Sequence, residues 1–143
     1  YAHSPDAIAR VLAAVRAAGH ASVVVVLGAG GDRDPGKREA MGREAALGAD
    51  LVIVTDDNPR SEDPALIRRA VERGALSAAD PASVRNIADR RAAIRAAVDA
   101  ARGGAVVVIL GKGHESGQEV AGVVHPFDDR TELRAALRRP EAS

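Results

Sequence analysis

The chain has 143 residues, with 20 Lys+Arg balanced by 20 Asp+Glu and a formal net charge of zero. That balance excludes a nucleic-acid binder working by bulk positive charge, and no basic block is present to hold a membrane surface. There is no cysteine, so disulfides, thiolate metal sites and a cysteine nucleophile are ruled out, and the redox compartment is left open.

Tyr1 and Phe127 are the only aromatic residues in a chain that is 46% hydrophobic. The core is therefore expected to consist of Ala, Val, Leu and Ile, without aromatic platforms for base stacking. The longest apolar runs, 23–27 and 105–110, are too short to cross a bilayer. The chain opens on Tyr1-Ala2-His3, with neither an initiator Met nor a signal-peptide pattern. It reads as a piece of a longer protein, forming one domain over residues 1–143 with no internal linker or repeat.

In chain order, Ser4-Pro5-Asp6 supplies an N-cap, a first-turn proline and an acid at the positive end of a helix dipole. Ile8, Leu12 and Val15 then recur at helical spacing until Gly19. Residues 23–27 contain nothing polar and read as a strand buried on both faces. A glycine-rich loop over 28–36 precedes a helix at 37–47, stopped by Gly48. A second buried strand at 51–54 leads into a polar loop at 55–63.

A helix at 64–73 begins with proline and is read as ending at Gly74. Residues 84–87 read as a short strand, 88–102 as a helix with Ile94 and Val98 on its apolar face, and 106–110 as a strand. Residues 119–121 and 123–125 flank Gly122 like a small hairpin, and 131–138 form the last helix. Strands alternating with helices imply an α/β, Rossmann-like sheet: mostly parallel strands, right-handed crossovers, helices on both faces, and a small antiparallel hairpin near the C-terminus.

Ligands of such sheets bind where loops converge at the carboxyl ends of the strands. Three loops there carry unusual chemistry. In the first, residues 31–37 fit G-x-x-x-x-G-K, but Arg38 stands where a P-loop needs a hydroxyl for magnesium. Gly28 and Gly30 begin a dinucleotide fingerprint, but Arg33 occupies the third glycine's place. Neither nucleotide motif survives. What remains is a glycine-rich turn carrying Arg33, Lys37 and Arg38 near a helix N-terminus, either an anion site or a tight turn with solvated charges.

The second loop, Asp56-Asp57-Asn58-Pro59-Arg60, is stiffened by its proline. It either presents a guanidinium to a carboxylate or forms an Asx-type turn with an exposed arginine. Asp56 and Asp57 are adjacent at a strand end and point different ways, so no metal is assigned to them. The third loop sets Lys112, His114 and Glu115 between glycines that admit close backbone approach. Either it meets a ligand or its side chains are solvated. His20 and His125 read as structural or exposed, and no Ser-His-Asp or H-E-x-x-H pattern is present.

Taken together, Tyr-Ala-His-Ser-Pro-Asp at 1–6, Gly-Gly-Asp-Arg-Asp at 30–34, Gly-Lys-Arg at 36–38, Asp-Asp-Asn-Pro-Arg at 56–60, Gly-Lys-Gly-His-Glu at 111–115 and Val-His-Pro-Phe-Asp-Asp-Arg at 124–130 resemble the Mur ligases. Asp-Asn-Pro-Arg is similar to the motif of members that add meso-2,6-diaminopimelate rather than lysine. The resemblance implies the third of three domains, the one that receives the amino acid. It further implies that the UDP-binding N-terminal domain and the central ATPase domain, the latter mainly binding ATP and Mg, lie outside this chain.

Carried onto matching positions, the resemblance implies a diaminopimelate site of Arg33, Asp57, Asn58, Arg60, Gly111 and Glu115, with Tyr1 and His3 near the nucleotide. It implies a cytoplasmic, ATP-dependent amide ligase of peptidoglycan precursor synthesis, extending UDP-MurNAc-L-Ala-D-Glu through an acyl phosphate. Nucleic acid and membrane are not expected partners, and the isolated domain is expected to be inactive. The alternatives are a lysine-adding ligase, a folylpolyglutamate synthase domain, and a stand-alone anion-binding module.

Overall fold

Helix α1 (Pro5–Ala17) begins where the sequence places its cap, with Ser4 Oγ accepting from the Ala7 N–H at 3.1 Å. The computed structural model describes residues 4–111 and 117–140. Strand β1 (Val23–Leu27) follows, then a single 3-10 turn at Pro35–Lys37 and helix α2 (Arg38–Gly48). Strand β2 (Leu51–Val54), helix α3 (Pro64–Leu76), strand β3 (Val84–Asn86), helix α4 (Arg90–Ala101) and strand β4 (Val106–Ile109) complete the main layer. Strands β5 (Gly117–Val120) and β6 (Val123–Pro126) and helix α5 (Asp129–Arg138) close the chain.

The main sheet has the order β3-β2-β1-β4, and all its pairings are parallel. The chain therefore steps outward from β1 through β2 to β3, then returns to the other side of β1. The switch point lies between β1 and β4, where an α/β sheet opens a crevice for ligands. Alternation along β1 divides the core. Val23, Val25 and Leu27 face α1, α2 and α3, whereas Val24 and Val26 face Ala93 and Ala97 of α4. Helix α5 packs behind α4 through Ile94, Val98, Phe127 and Ala136. Burial on both faces explains the unbroken valine run.

Strands β5 and β6 form the antiparallel hairpin, joined by Ala121 and Gly122 at φ +50° and +79°. Two left-handed residues in a two-residue loop match the right-handed twist of the strands, and glycine at the second lowers the cost.

Two boundaries differ from the sequence reading for a physical reason. Lys37 belongs to the 3-10 turn, so α2 starts at Arg38. Gly74 does not end α3, which runs on to Leu76. A methyl group there would sit 1.8 Å from the Glu39 carbonyl oxygen, and one on Gly42 would sit 1.9 Å from that of Val71. These glycines let α2 and α3 cross backbone to backbone.

Gly74→Ala tests this directly. Helix propensity alone favours alanine by about 1 kcal/mol, but overpacking costs about 1–3 kcal/mol. The expected result is a net loss of stability of up to about 2 kcal/mol, visible as a lower midpoint in a denaturant melt. A gain in stability would show that the helices do not cross so closely.

Candidate functional site

The carboxyl ends of β1 and β2 carry the two polar loops, which close on one another through their backbones. The Gly31 N–H donates to the Asn58 carbonyl at 2.7 Å, and Arg60 Nη1 donates back to the Gly31 carbonyl at 2.9 Å. Arg38, at the start of α2, grips Glu62 with both terminal nitrogens at 3.1 and 2.8 Å and also donates to the Gly30 carbonyl at 3.1 Å. Glu62 accepts further from the Asp32 N–H at 2.5 Å, and the Ser61 hydroxyl donates to Asp32 at 2.5 Å. Of the three cations read as a possible anion site, Arg38 is thus buried and neutralised by an acid on the facing loop. Arg33 and Lys37 stay exposed on the rim.

The second loop is also sewn to the hairpin. The Arg60 N–H donates to Glu119 O at 3.0 Å, and Ala121 N–H donates to Arg60 O at 2.6 Å. The Glu119 N–H donates to Asn58 Oδ1 at 2.7 Å, and Gln118 Nε2 donates to Asp57 O at 2.9 Å. This pairing holds Arg60 at φ +51°, a conformation rare for a branchless long side chain and sustained here by bonds on both its backbone groups. Its side chain points inward across the loops, with Nε 3.7 Å from Glu119 Oε1.

Between the loops lies a cavity of about 380 Å³, lined by Ala29, Gly30, Arg33, Asp34, Lys37, Arg38, Met41, Asp57, Asn58 and Arg60. Four cationic and two acidic side chains line it, Arg38 among the cations already paired to Glu62, and the lining suits a small molecule bearing both signs of charge. Asp57 is buried at 2% exposure. Its Oδ2 lies 3.0 Å from where a methyl on Gly111 would be, and Gly111 itself is at φ +114°. Any larger residue at 111 would meet both the strain and the carboxylate. Asp56 turns the other way, to Arg68 at 2.6 Å.

Of the residues expected to hold ligand, Arg33, Asp57, Asn58 and Arg60 meet around this cavity, and Gly111 abuts Asp57. Glu115, Tyr1 and His3 lie outside the described residues. The sequence reading did not identify Gln118 and Glu119 as supports of the second loop, nor the Arg38–Glu62 clasp. The signal for that clasp was weak: an arginine and a glutamate 24 residues apart, with nothing in their spacing to join them. Among the described residues no three His, Asp or Glu side chains converge as a metal site, and no helix is long and apolar enough to cross a membrane.

Hydrogen bonds from Arg38, then from the Asp32 N–H, hold the Glu62 carboxyl below its usual range. A folded-state value below the unfolded one contributes stability at neutral pH and loses it as pH falls through the lowered value. Glu62→Gln is expected to reduce the melting temperature at about pH 7, with the gap from the parent closing as the pH falls through the lowered value and the parent carboxyl becomes protonated too. Melting curves across that interval measure it, and a gap independent of pH would separate Glu62 from the clasp.

A family model described as Mur ligase, glutamate ligase domain matches residues 1–113. The chain is 57% identical over 142 residues to the UDP-N-acetylmuramoyl-L-alanyl-D-glutamate--2,6-diaminopimelate ligase of Caulobacter vibrioides, covering 99% of this chain and 28% of that one. It is 53% identical over 146 residues to the ligase of the same name from Corynebacterium efficiens, covering 99% and 28%. A solved structure of a ligase so named superposes with a TM-score of 0.86 at 45% identity, over 96% of this chain and 28% of that one. A folylpolyglutamate synthase of Mycobacterium tuberculosis in complex with ADP shares the fold, with a TM-score of 0.55 at 23% identity over 76% and 25%. The chain spans 28% of the length of the first relatives it matches. Two motif-bearing loops at the carboxyl edge of a parallel sheet, in a chain matched over most of its length, have one source: the chain belongs to the Mur ligase family.

Proposed function

We propose that this chain is the amino-acid-receiving C-terminal domain of an ATP-dependent ligase that adds meso-2,6-diaminopimelate to UDP-MurNAc-L-Ala-D-Glu in the cytoplasm. The observation that carries the reading is the convergence of Arg33, Asp57, Asn58 and Arg60 on one cavity, in a chain 57% identical to a ligase named for that amino acid. Diaminopimelate has two carboxylates and two ammonium groups. The Arg60 and Arg33 guanidinium groups would receive carboxylate, and Asp57 with Glu115 would receive ammonium. Asn58 would hold the loop that carries them, and Gly111 would offer backbone without a side chain in the way.

The same arrangement accounts for selectivity. Lysine lacks the distal carboxylate, so binding it would desolvate an arginine without giving it a partner. In the reaction, ATP converts the nucleotide-peptide carboxylate into an acyl phosphate. The diaminopimelate amine attacks its carbonyl carbon, a C–N bond forms, and the C–O bond to phosphate breaks as the amine gives up a proton. This domain would present that amine in line and exclude water when it closes. The first loop has Arg38 where a phosphate loop carries its magnesium-binding hydroxyl, and its described carboxylates do not cluster. ATP and Mg are therefore assigned mainly to the rest of the ligase, and Tyr1 and His3 would be near the nucleotide by the resemblance alone.

A competition assay on the full-length ligase tests the reading. Diaminopimelate should be consumed in preference to lysine by about a thousandfold or more in kcat/KM. Preference for lysine would point to a lysine-adding enzyme, comparable use of the two would remove the selectivity assigned to the arginines, and use of neither would favour an anion-binding module.

A further inference from the structure

At the start of α4, Arg90 is the largest fully buried side chain of the described residues, at 1% exposure. Its Nε and Nη2 take both oxygens of Asp129 at 2.7 Å each. Two more of its five N–H groups go to backbone carbonyls, Asp56 O through Nη1 and Leu110 O through Nη2, each at 3.1 Å. Those carbonyls belong to the residues immediately before Asp57 and Gly111. They stand beyond the ends of β2 and β4, which are not neighbours: β1 lies between them and no ladder bond joins them. One guanidinium thus ties the ends of β2 and β4 together across β1, anchored by the first residue of α5.

The chemistry demands an arginine. A planar fork can satisfy a carboxylate bidentately and still direct N–H groups at two carbonyls, whereas an ammonium on a flexible stem cannot reach all four acceptors. Burying this pair costs desolvation that well-packed aliphatic side chains would avoid, so packing alone gives no reason for it. The spacing it maintains is tight: the Cβ position of Gly111 is 3.8 Å from Arg90 Nη2 and 3.0 Å from Asp57 Oδ2.

We propose that Arg90, oriented by Asp129, is a positioning residue that fixes Asp57 and Gly111 relative to each other for the amino-acid substrate. This inference rests on the assignment of the cavity to diaminopimelate. In the full-length ligase, Arg90→Lys is expected to raise the diaminopimelate KM by about tenfold, since sub-ångström misplacement of binding groups is felt strongly in such sites. The KM values for ATP and the nucleotide-peptide should stay within about twofold. Asp129→Asn keeps the shape of the anchor and removes its charge, and should move the diaminopimelate KM the same way by about threefold. It carries the test if the lysine variant does not fold.

A purely structural pair would lower kcat with the folded fraction and leave every KM in place, and that result would overturn the proposal. Arg60→Ala serves as the control on the underlying assignment. If it raises the diaminopimelate KM and the Arg90 and Asp129 variants do not, only the positioning role falls. If none of the three does, the cavity is not the amino-acid site and both readings fall together.

Discussion

Replacing Arg60 with alanine in the full-length ligase is expected to raise the KM for diaminopimelate by about a hundredfold, with the ATP KM held within about twofold. A guanidinium that meets a carboxylate in a partly closed site contributes through two parallel charge-assisted bonds, and losing about 3 kcal/mol corresponds to roughly that factor. The side chain is set up for this task before any ligand arrives. Its backbone is paired to the hairpin on both sides, and Nη1 is fastened to Gly31 O at 2.9 Å, so little freedom remains to be lost on binding. Arg60→Lys keeps the charge without the fork and should fall between the two, at about tenfold. Steady-state kinetics with each substrate varied in turn would measure both variants. Equal increases in the KM of ATP and diaminopimelate would remove Arg60 from the amino-acid site.

The sequence made the strands and most helix starts legible, because each depends on short-range chemistry. Val23–Leu27 is apolar throughout since both of its faces are covered, and Ser4 and Asp63 each cap the helix that follows with their own side chain; Asp89 and Asp128 cap α4 and α5 in the same way, although the sequence reading began those helices at 88 and 131. The loops that converge were legible for the same reason: a switch-point sheet brings the carboxyl ends of β1, β2 and β4 together whatever their side chains are.

The supports of the site were not. Arg90 and Asp129 are 39 residues apart, and Asn58 and Glu119 are 61 apart. In sequence, a buried arginine at a helix start looks the same as a solvated one. Gly74 misled for a related reason, since a glycine late in a helical pattern signals a stop locally, whereas its neighbour across space, Glu39 of α2, made it a contact point.

Gly31→Ala is expected to damage amino-acid binding more than it damages the fold. Its added methyl would stand 1.9 Å from the Pro59 carbonyl oxygen and 2.6 Å from the Pro59 carbonyl carbon, so one loop must retreat from the other by about 1 Å. Gly31 is not among the residues with positive φ, so alanine carries no left-handed penalty, and the clash acts alone. Retreat would strain the bond from Gly31 N–H to Asn58 O and the bond from Arg60 to Gly31 O, pulling Arg33 away from Arg60 across the cavity. A displacement of that size in a positioning loop costs about a hundredfold in the rate at low diaminopimelate. The β1, β2 and α2 cores beneath remain intact, so the melting temperature should drop by only a few degrees, about 1 kcal/mol in stability. Gly36→Ala in the same loop is the control. There the nearest atom is the Asp34 carboxylate oxygen at 3.2 Å, the far end of a flexible side chain, and kcat/KM should be nearly unchanged. If Gly31→Ala also left kcat/KM for diaminopimelate intact, the backbone-to-backbone seating of the two loops would not set the site.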